Sequence, residues 1–546
     1  MNLDGPWPSN DVVAREDARI SEAPAAIPQR TKPERNASVR YGFVIDQRTC
    51  IGCHACTVAC KEENRVPLGA FRTWVKYVER GHYPDTRRYF SVLRCNHCDD
   101  APCVTICPTV ALYRRSDGIV DFDGERCIGC KSCMQGCPYD ALYIDPDTNT
   151  AAKCNYCAHR VEVGLEPACV IVCPEQAIIA GDLDDPDAPI ARLVATEPVQ
   201  VRKAEQGTRP KVFYLGADAA TLTPSMQSQT EHYAFATRPA ADVDLVRMVS
   251  AIQKMEHGDG LSRPVYDAPH MPRPWGWKVS AYLWTKSIAS GVMLIAGLAA
   301  LLGIPASSFL VGVMPPIVAL LFLTLTTGLL VFDLKRPDRF HYILFRGNRT
   351  SWLVWGAWIL MAYGLIGVGW LAGAHAGGTG LLRALAVPML LLAAGTAGYS
   401  AFLFGQAEGR DFWQSPLLLP RLLVAALVAG AAALLIGGIV AGGDGPSLRA
   451  LVAILIVALV LDAALLFAEF SGAHANVDAA RAARLITRGA FRARFWGGAV
   501  IAGIVVPLVL MGFGPLGVLI AAVLALAGLW MYEDVWVKAG QSIPLS

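Results

Sequence analysis

Two regimes of hydrophobic patterning divide the 546-residue chain near residue 275. From Val279 onward the apolar runs are long enough to cross about 30 Å of hydrocarbon at roughly 1.5 Å per residue. Eight such runs are predicted, near 279–302, 309–331, 352–373, 381–405, 417–441, 448–470, 495–512 and 514–532. Upstream the runs are short, as in Gly118-Ile119-Val120-Asp121-Phe122, and are separated by Asp-Gly and Pro turns. That pattern predicts a small α+β domain. Lys211-Val212-Phe213-Tyr214-Leu215 is a further strand candidate that packs back on it. The expected organisation is a disordered tail over 1–40, a cysteine-rich domain over 41–192, a linker and docking segment over 193–274, a membrane domain over 275–535 and a tail over 536–546.

Composition sharpens this division. Hydrophobic residues make up 53% of the chain and the mean hydropathy is +0.37, yet all 16 cysteines fall within 41–192. The averages therefore describe two different solvents. A net charge of only +2 gives no electrostatic case for nucleic acid. No Walker-type loop and no strand-flanked GxGxxG occurs, which argues against a nucleotide or flavin site. The tail over 1–40 lacks an apolar export core and a leading twin arginine; Arg87-Arg88 lies deep in the cysteine domain and reads as a surface or carboxylate-paired couple.

Charge also gives an orientation. Arg273 and Lys278 precede the first span, and Lys335, Arg336, Arg339, Arg346 and Arg349 lie between the second and third. Arg410 and Arg421 follow the fourth, Arg481, Arg484, Arg488, Arg492 and Arg494 lie between the sixth and seventh, and Lys538 follows the last. Only Arg383 and Arg449 fall on the opposite side. This bias predicts a bacterial inner (cytoplasmic) membrane protein with both termini, and hence the cysteine domain, in the cytoplasm. Trp275 and Trp277 beside Lys278 read as an interfacial anchor.

The cysteines sort without remainder into four groups: Cys50, Cys53, Cys56 and Cys60; Cys95, Cys98, Cys103 and Cys107; Cys127, Cys130, Cys133 and Cys137; Cys154, Cys157, Cys169 and Cys173. The first and third have the C-x2-C-x2-C-x3-C spacing of bacterial ferredoxins, and Pro108, Pro138 and Pro174 follow the last cysteine of the other three groups, where the first has Lys61. Three thiolates on a tight loop reach three irons of one cubane while the fourth points to a neighbouring cluster. Disulfides fit poorly with such tight spacing in a reducing compartment, and zinc does not require the trailing C-x3-C-P. A purely structural role for the thiols would not give regular spacing. The spacing thus predicts four 4Fe-4S clusters, a wire whose outer end docks on another protein, but leaves open which groups pair.

The motifs CIGCHACTVACK, CNHCDDAPCVTICP, CIGCKSCMQGCP and CNYC with CVIVCP resemble the iron-sulfur subunit of bis-molybdopterin oxidoreductases of the dimethyl-sulfoxide-reductase type, over residues 41–215. The resemblance implies clusters held by Cys50/Cys53/Cys56 with Cys173, Cys154/Cys157/Cys169 with Cys60, Cys95/Cys98/Cys103 with Cys137, and Cys127/Cys130/Cys133 with Cys107. WGWKVSAYLWTKSIASG at 275–291 and DLKRPDRFHYILFRGNRTSW at 333–352 resemble the NrfD-like polysulfide-reductase membrane subunit. The expected fold is an α+β ferredoxin-like domain with four clusters followed by an all-α eight-helix transmembrane bundle, two subunits fused in one chain. The implied partners are a molybdopterin-type catalytic subunit in a hetero-oligomer, membrane lipid and a quinone, either menaquinone or ubiquinone. A quinol oxidoreductase resembling alternative complex III, with haem-protein partners, is a second reading, and a cluster-gated transporter or sensor a third.

The membrane-region histidines His341, His375 and His474 all fall in loops or at helix ends, so no haem is expected in the bundle. Ionisable residues inside spans are costly and therefore functional suspects. Lys286 lies about 12 Å past Lys278 by helix rise and is a candidate to hydrogen-bond a quinone oxygen, with Tyr282 and Trp284 lining the pocket; a snorkelling lysine is the alternative. Asp462 and Glu469 share a helix face about 10.5 Å apart and suit a proton path, or a pairing with a neighbouring helix. Asp333, Arg336 and Arg339 are placed where the cysteine domain should dock, and His341 and His474 are weaker proton relays. The acidic run Asp182-Leu183-Asp184-Asp185-Pro186-Asp187 lacks EF-hand spacing and reads as a solvated loop.

Overall fold

The computed structural model describes residues 39–82, 84–227, 262–268, 274–304, 309–443 and 445–546. The tail expected over 1–40 lies outside these except for its last two residues, as do Arg273 and much of the linker.

Within the cysteine domain, β1 (Tyr41–Asp46) is flanked by β8 (Ile178–Asp182), antiparallel, and β9 (Val212–Leu215), parallel. Its central residues Phe43, Val44 and Ile45 are wholly buried because both faces are covered: Phe43 and Ile45 pack with Val75, Val92 and Tyr214, and Val44 packs with Ile190 and Leu215. This accounts for a continuous apolar run where a half-exposed strand would alternate. A second sheet pairs the long hairpin β2 (Thr73–His82) and β3 (Asp85–Arg94) with β10 (Arg263–Tyr266). The β9 strand is the one anticipated at Lys211–Leu215; β10, inside the expected linker, is not evident from the pattern. Two small hairpins, β4 (Leu112–Arg114) with β5 (Val120–Phe122) and β6 (Leu142–Ile144) with β7 (Ala151–Lys153), brace the cysteine loops.

Among the described residues seven helices are long and apolar enough to cross a membrane. They are α1 (Trp277–Leu301), α2 (Met314–Asp333), α3 (Trp352–His375), α4 (Thr379–Gly405), α5 (Leu418–Val440), α6 (Gly445–Ser471) and, last in the chain, Gly514–Gly540. The remaining expected span is α7 (Arg494–Leu510), shorter than the rest and π-helical over Arg494–Val505; Gly514–Gly540 is therefore α8. α7 runs antiparallel to α8, with Arg494 bridged to Asp534 at 3.3 Å at one end and Gly503 against Gly528 further along. α1 is the central helix, buried over most of its length. It meets α5 where Gly291 faces Gly430, and a methyl at either position would run into the other's main chain.

The two domains interlock through the cysteine loops. Asn348, between α2 and α3, donates from Nδ2 to the Cys107 carbonyl at 3.0 Å, and Ser351 donates to the Ile106 carbonyl at 2.8 Å. Arg339 Nη1 donates to the Gly124 and Cys127 carbonyls at 2.7 and 3.1 Å, and Lys131 bridges Asp333 at 2.8 Å. Asp333, Arg336 and Arg339 thus lie in the docking surface. In the loop after α4, Gly409 packs on the Gln135 and Cys137 carbonyls, where a Cβ would clash at 2.7 and 2.5 Å. Trp275 is not at a lipid interface: it is 5% exposed, stacks on Trp413 and donates from Nε1 to the Cys130 carbonyl at 3.1 Å. Trp277 is 58% exposed. α8 continues to Gly540, beyond the expected 514–532, and the residues after it are wedged between the domains. Gln541, Ile543, Leu545 and Ser546 are buried, with Lys76 donating to the Ser546 carbonyl at 2.8 Å and Arg202 to that of Leu545 at 3.1 Å. Arg410 donates to Gln135 Oε1 at 2.8 Å and to the Ile543 carbonyl at 3.1 Å, and burial lowers its guanidinium to about 10.

Candidate electron-transfer site

The cysteine loops are tight turns that direct several thiols inward; His54, Lys131, Tyr156 and Cys157 adopt left-handed backbone conformations at the points where the loops pass into short helices. Electrostatic coupling between thiols sorts them into four sets. Cys50 couples to Cys53 and Cys173, and Cys56 to Cys50. One small cavity is lined by all four of these residues. Cys60 couples to Cys154, Cys157 and Cys169; Cys103 to Cys95, Cys98 and Cys137; and Cys133 to Cys107, Cys127 and Cys130. Between sets, Cys56 couples to Cys169, Cys154 to Cys95 and Cys133 to Cys103. The sets therefore follow one another in a line.

The chemistry of this donor set fits iron-sulfur clusters. Burial pushes the thiols of Cys56, Cys130 and Cys154 up to about 12 and that of Cys137 to about 11, so without a bound cation they are neutral at pH 7. Iron supplies the positive charge that makes thiolates tolerable there. Buried donors in the loops also have no hydrogen-bond partner among the described residues: Asn96 Nδ2, His97 Nε2, and Arg94 Nε and Nη2. His97 accepts at Nδ1 from the Val120 amide at 3.2 Å, which puts its proton on Nε2. Burial, reinforced by Lys153, Lys211 and Arg94, holds that imidazole neutral, well below its usual range. Such free N–H groups suit sulfur acceptors. Amides also reach cysteine sulfur directly, from Ala177 to Cys173 at 3.2 Å and from Ala151 and Gly129 to Cys127 at 3.3 and 3.4 Å.

At the membrane end of the line a cavity of about 530 Å³ opens between α1, α2, α3 and α4, with Cys130 and Ser132 at its head. Its walls are apolar (Leu323, Leu330, Leu360, Met361 and Leu403 among them), with Tyr282, Tyr399, Asp333, Thr324 and Thr327 as the polar points. The volume and the mixture of apolar wall with few polar groups are those of a small-molecule site.

The sequence-expected membrane residues separate into three groups. Tyr282 lines the cavity. Lys286 is wholly buried, which rules out snorkelling, but it stands behind the cavity wall, donating to Ser400 Oγ at 2.7 Å and the Ala397 carbonyl at 2.9 Å with the Tyr399 ring 4.9 Å away. Trp284 does not line the cavity; its Nε1 donates to the Leu526 carbonyl on α8 and its ring packs on Phe322 and Trp530. Asp462 and Glu469 converge on Arg421, at 3.7 and 2.8 Å, with Tyr532 donating to Glu469 at 3.2 Å and its ring 3.3 Å from the guanidinium. Arg421 is thus no loop charge but a buried partner in the first turn of α5. Glu533, missed because a charge at that position reads as the end of the last span, is 5% exposed and electrostatically linked to both Lys286 and Arg421. His341 and His375 are exposed and His474 is half-buried, all outside this network.

Removing one member of a buried ion pair strands the others. Arg421→Leu is expected to destabilise the bundle by about 3–5 kcal/mol, seen as a lower thermal midpoint in detergent, and the triple variant with Asp462→Asn and Glu469→Gln to recover most of that loss. Equal stability of the single and triple variants would contradict the pairing.

A cysteine-lined domain joined to a multi-pass bundle defines an iron-sulfur electron-transfer subunit fused to a membrane module. Residues 267–544, about half of the sequence, match the family model "Polysulphide reductase, NrfD", and this protein belongs to that family. Residues 86–183 match a 4Fe-4S dicluster domain. The N-terminal part is 48% identical over 201 residues to a subunit of the tetrathionate reductase of Salmonella typhimurium, covering 36% of this sequence and 80% of that one. It is 42% identical over 179 residues to one chain of the polysulfide reductase of Wolinella succinogenes, covering 32% and 93%. Against the arsenate respiratory reductase iron-sulfur subunit of a Shewanella strain it is 33% identical over 225 residues, covering 32% and 96%. These relatives are named as subunits or chains of reductases, and this chain joins an iron-sulfur module like theirs to a multi-pass membrane module.

Proposed function

We propose that the chain is the electron-transfer and quinone-reactive membrane subunit of a respiratory complex, passing electrons one at a time through four 4Fe-4S clusters between a separate molybdopterin-type catalytic subunit and the quinone pool. The observation that carries this is the apolar cavity, which reaches from between the membrane helices to Cys130, a cysteine of the last thiol set in the line. A lipid-soluble acceptor can arrive there without leaving hydrocarbon. The crossed thiol sets are the ligand sets, in the order Cys50/Cys53/Cys56/Cys173, Cys60/Cys154/Cys157/Cys169, Cys95/Cys98/Cys103/Cys137 and Cys107/Cys127/Cys130/Cys133. At the far end Cys53 is exposed, and Ile51, Val58, Ile171 and Val172 expose apolar surface in the same cysteine loops. That is where the catalytic subunit docks.

Quinone reduction takes up protons as well as electrons. Tyr282 and Tyr399 face the quinone, and Lys286, Glu533, Arg421, Asp462 and Glu469 form a buried ionisable row leading away from it towards α6. All eight apolar helices span a bacterial inner membrane, α7 included, with the cluster domain on the cytoplasmic side, as the Lys and Arg distribution favours. The test is anaerobic copurification of the full chain with its partner, metal analysis, and titration of cluster reoxidation with a water-soluble quinone analogue. About sixteen irons per chain, with molybdenum or tungsten in the partner and quinone-dependent reoxidation, are expected. Zinc in place of iron, or reoxidation indifferent to quinone, overturns the assignment.

A further inference from the structure

Among the described residues six cationic side chains are buried in the cluster domain: Lys76, Arg94, Lys131, Lys153, Arg202 and Lys211. Three have carboxylate partners, Lys76 with Asp267 at 3.1 Å, Lys131 with Asp333 at 2.8 Å and Lys211 with Asp99 at 3.3 Å. Arg202 donates to the Leu545 carbonyl and lies over the Tyr139 ring. Arg94 and Lys153 are the most deeply enclosed, both with no exposed surface, and neither forms an ion pair with a carboxylate among the described residues.

Arg94 ends β3, directly before Cys95. Its guanidinium lies 4.4 Å from the Phe43 ring centroid, and Nη1 donates to Cys169 Sγ at 3.1 Å, while Nε and Nη2 have no hydrogen-bond partner among the described residues. The groups it couples to most strongly are Cys169, Cys154 and Cys56, thiols of the first two sets in the line. Lys153 Nζ donates to the Cys154 and Val120 carbonyls and couples to Cys103 of the third set. An enclosed guanidinium without a counter-ion is among the costliest groups a protein can bury. Neither cation lacks a counter-ion if the sets hold cubanes, because an iron-sulfur cubane bound by four thiolates carries net negative charge. One-electron reduction adds another negative charge beside the same cations.

Given the cluster assignment proposed above, we propose that Arg94 is the counter-charge of the cluster held by Cys60, Cys154, Cys157 and Cys169 and sets its midpoint potential. The physical consequence has one sign. A fixed positive charge in a site of low dielectric favours the reduced, more negative form, so it raises the potential of the nearest cluster most and of its neighbours less. The centre of the wire is thereby kept receptive to electrons entering from either end.

The test uses the full chain, purified anaerobically, with iron and sulfide analysis and a redox titration followed by electron paramagnetic resonance. Cys157→Ser identifies the signal of the cluster concerned. In Arg94→Gln that signal is expected to titrate at lower potential, with smaller shifts in its neighbours and none in the cluster at Cys130, and Arg94→Lys is expected to return it close to the wild-type value. Unchanged potentials in Arg94→Gln at full iron content overturn the proposal, as does an Arg94→Lys protein whose potential falls as far as that of Arg94→Gln. Should Arg94→Gln fail to hold this one cluster, an Arg94→Lys protein with full iron and wild-type potential still supports a charge role, and loss of the cluster in both variants sinks it. Absence of iron from the wild-type protein marks failure of the cluster assignment itself, a different result from any of these.

Discussion

Ala357→Trp is expected to slow quinone-dependent reoxidation of the reduced clusters by more than about tenfold while leaving their number and spectra unchanged. Ala357 lies on α3 and lines the cavity, so an indole placed there projects into about 530 Å³ of space already present. The substitution fills a void rather than overpacking a core, which keeps the cost to folding small. It alters no group that touches a cysteine loop. Stopped-flow reoxidation with a quinone analogue separates the two effects, since electron entry from an artificial donor remains normal while exit to quinone is blocked. Reoxidation at the wild-type rate, with the tryptophan variant fully loaded, would place quinone elsewhere.

Substitution of single cysteines distinguishes the pairing of the loops with still larger effects. If each cluster is held within one sequence group, Cys137→Ser damages the same cluster as Cys130→Ser. If the sets cross, Cys107→Ser and Cys130→Ser delete one and the same cluster, the one beside the cavity, with a loss of about four irons each, and Cys137→Ser deletes a different one. Cys107 couples to Cys127, Cys130 and Cys133, whereas Cys137 couples to Cys95, so the crossed outcome is expected. Both Cys107→Ser and Cys130→Ser should also abolish quinone-dependent reoxidation, because they remove the step between the wire and the cavity. Spectral identity of Cys130→Ser and Cys137→Ser would reverse the ligand sets.

Much of this was legible from residue spacing. Cysteine periodicity announces tight loops because three ligands of one cubane must come from a few consecutive residues, and apolar runs of membrane length need no tertiary context to be recognised. Docking by Asp333, Arg336 and Arg339 could be anticipated from their place at a helix end. Less was legible wherever a side chain's meaning depends on what stands opposite it. Arg421 looked like one loop charge among many until the structure set it between Asp462 and Glu469. Trp275 and Trp277 look equivalent in sequence, but one rests on the Cys130 loop and the other is exposed. Trp284 and Tyr282, two residues apart, lie on different faces of α1, so only Tyr282 meets the cavity.

The sequence by itself determined the two solvents of this protein, the number and grouping of its thiols, and the positions of seven of the eight membrane-length segments expected, because each is a property of consecutive residues. The tertiary structure brought together the thiols of different loops that the family resemblance, though not the spacing, implied, and it alone decided which buried cations lack a carboxylate among the described residues and that Cys130 heads an apolar cavity. Those are relations between residues far apart in the sequence, and they are fixed by packing and by the cost of leaving buried charge unpaired, neither of which has a local signature.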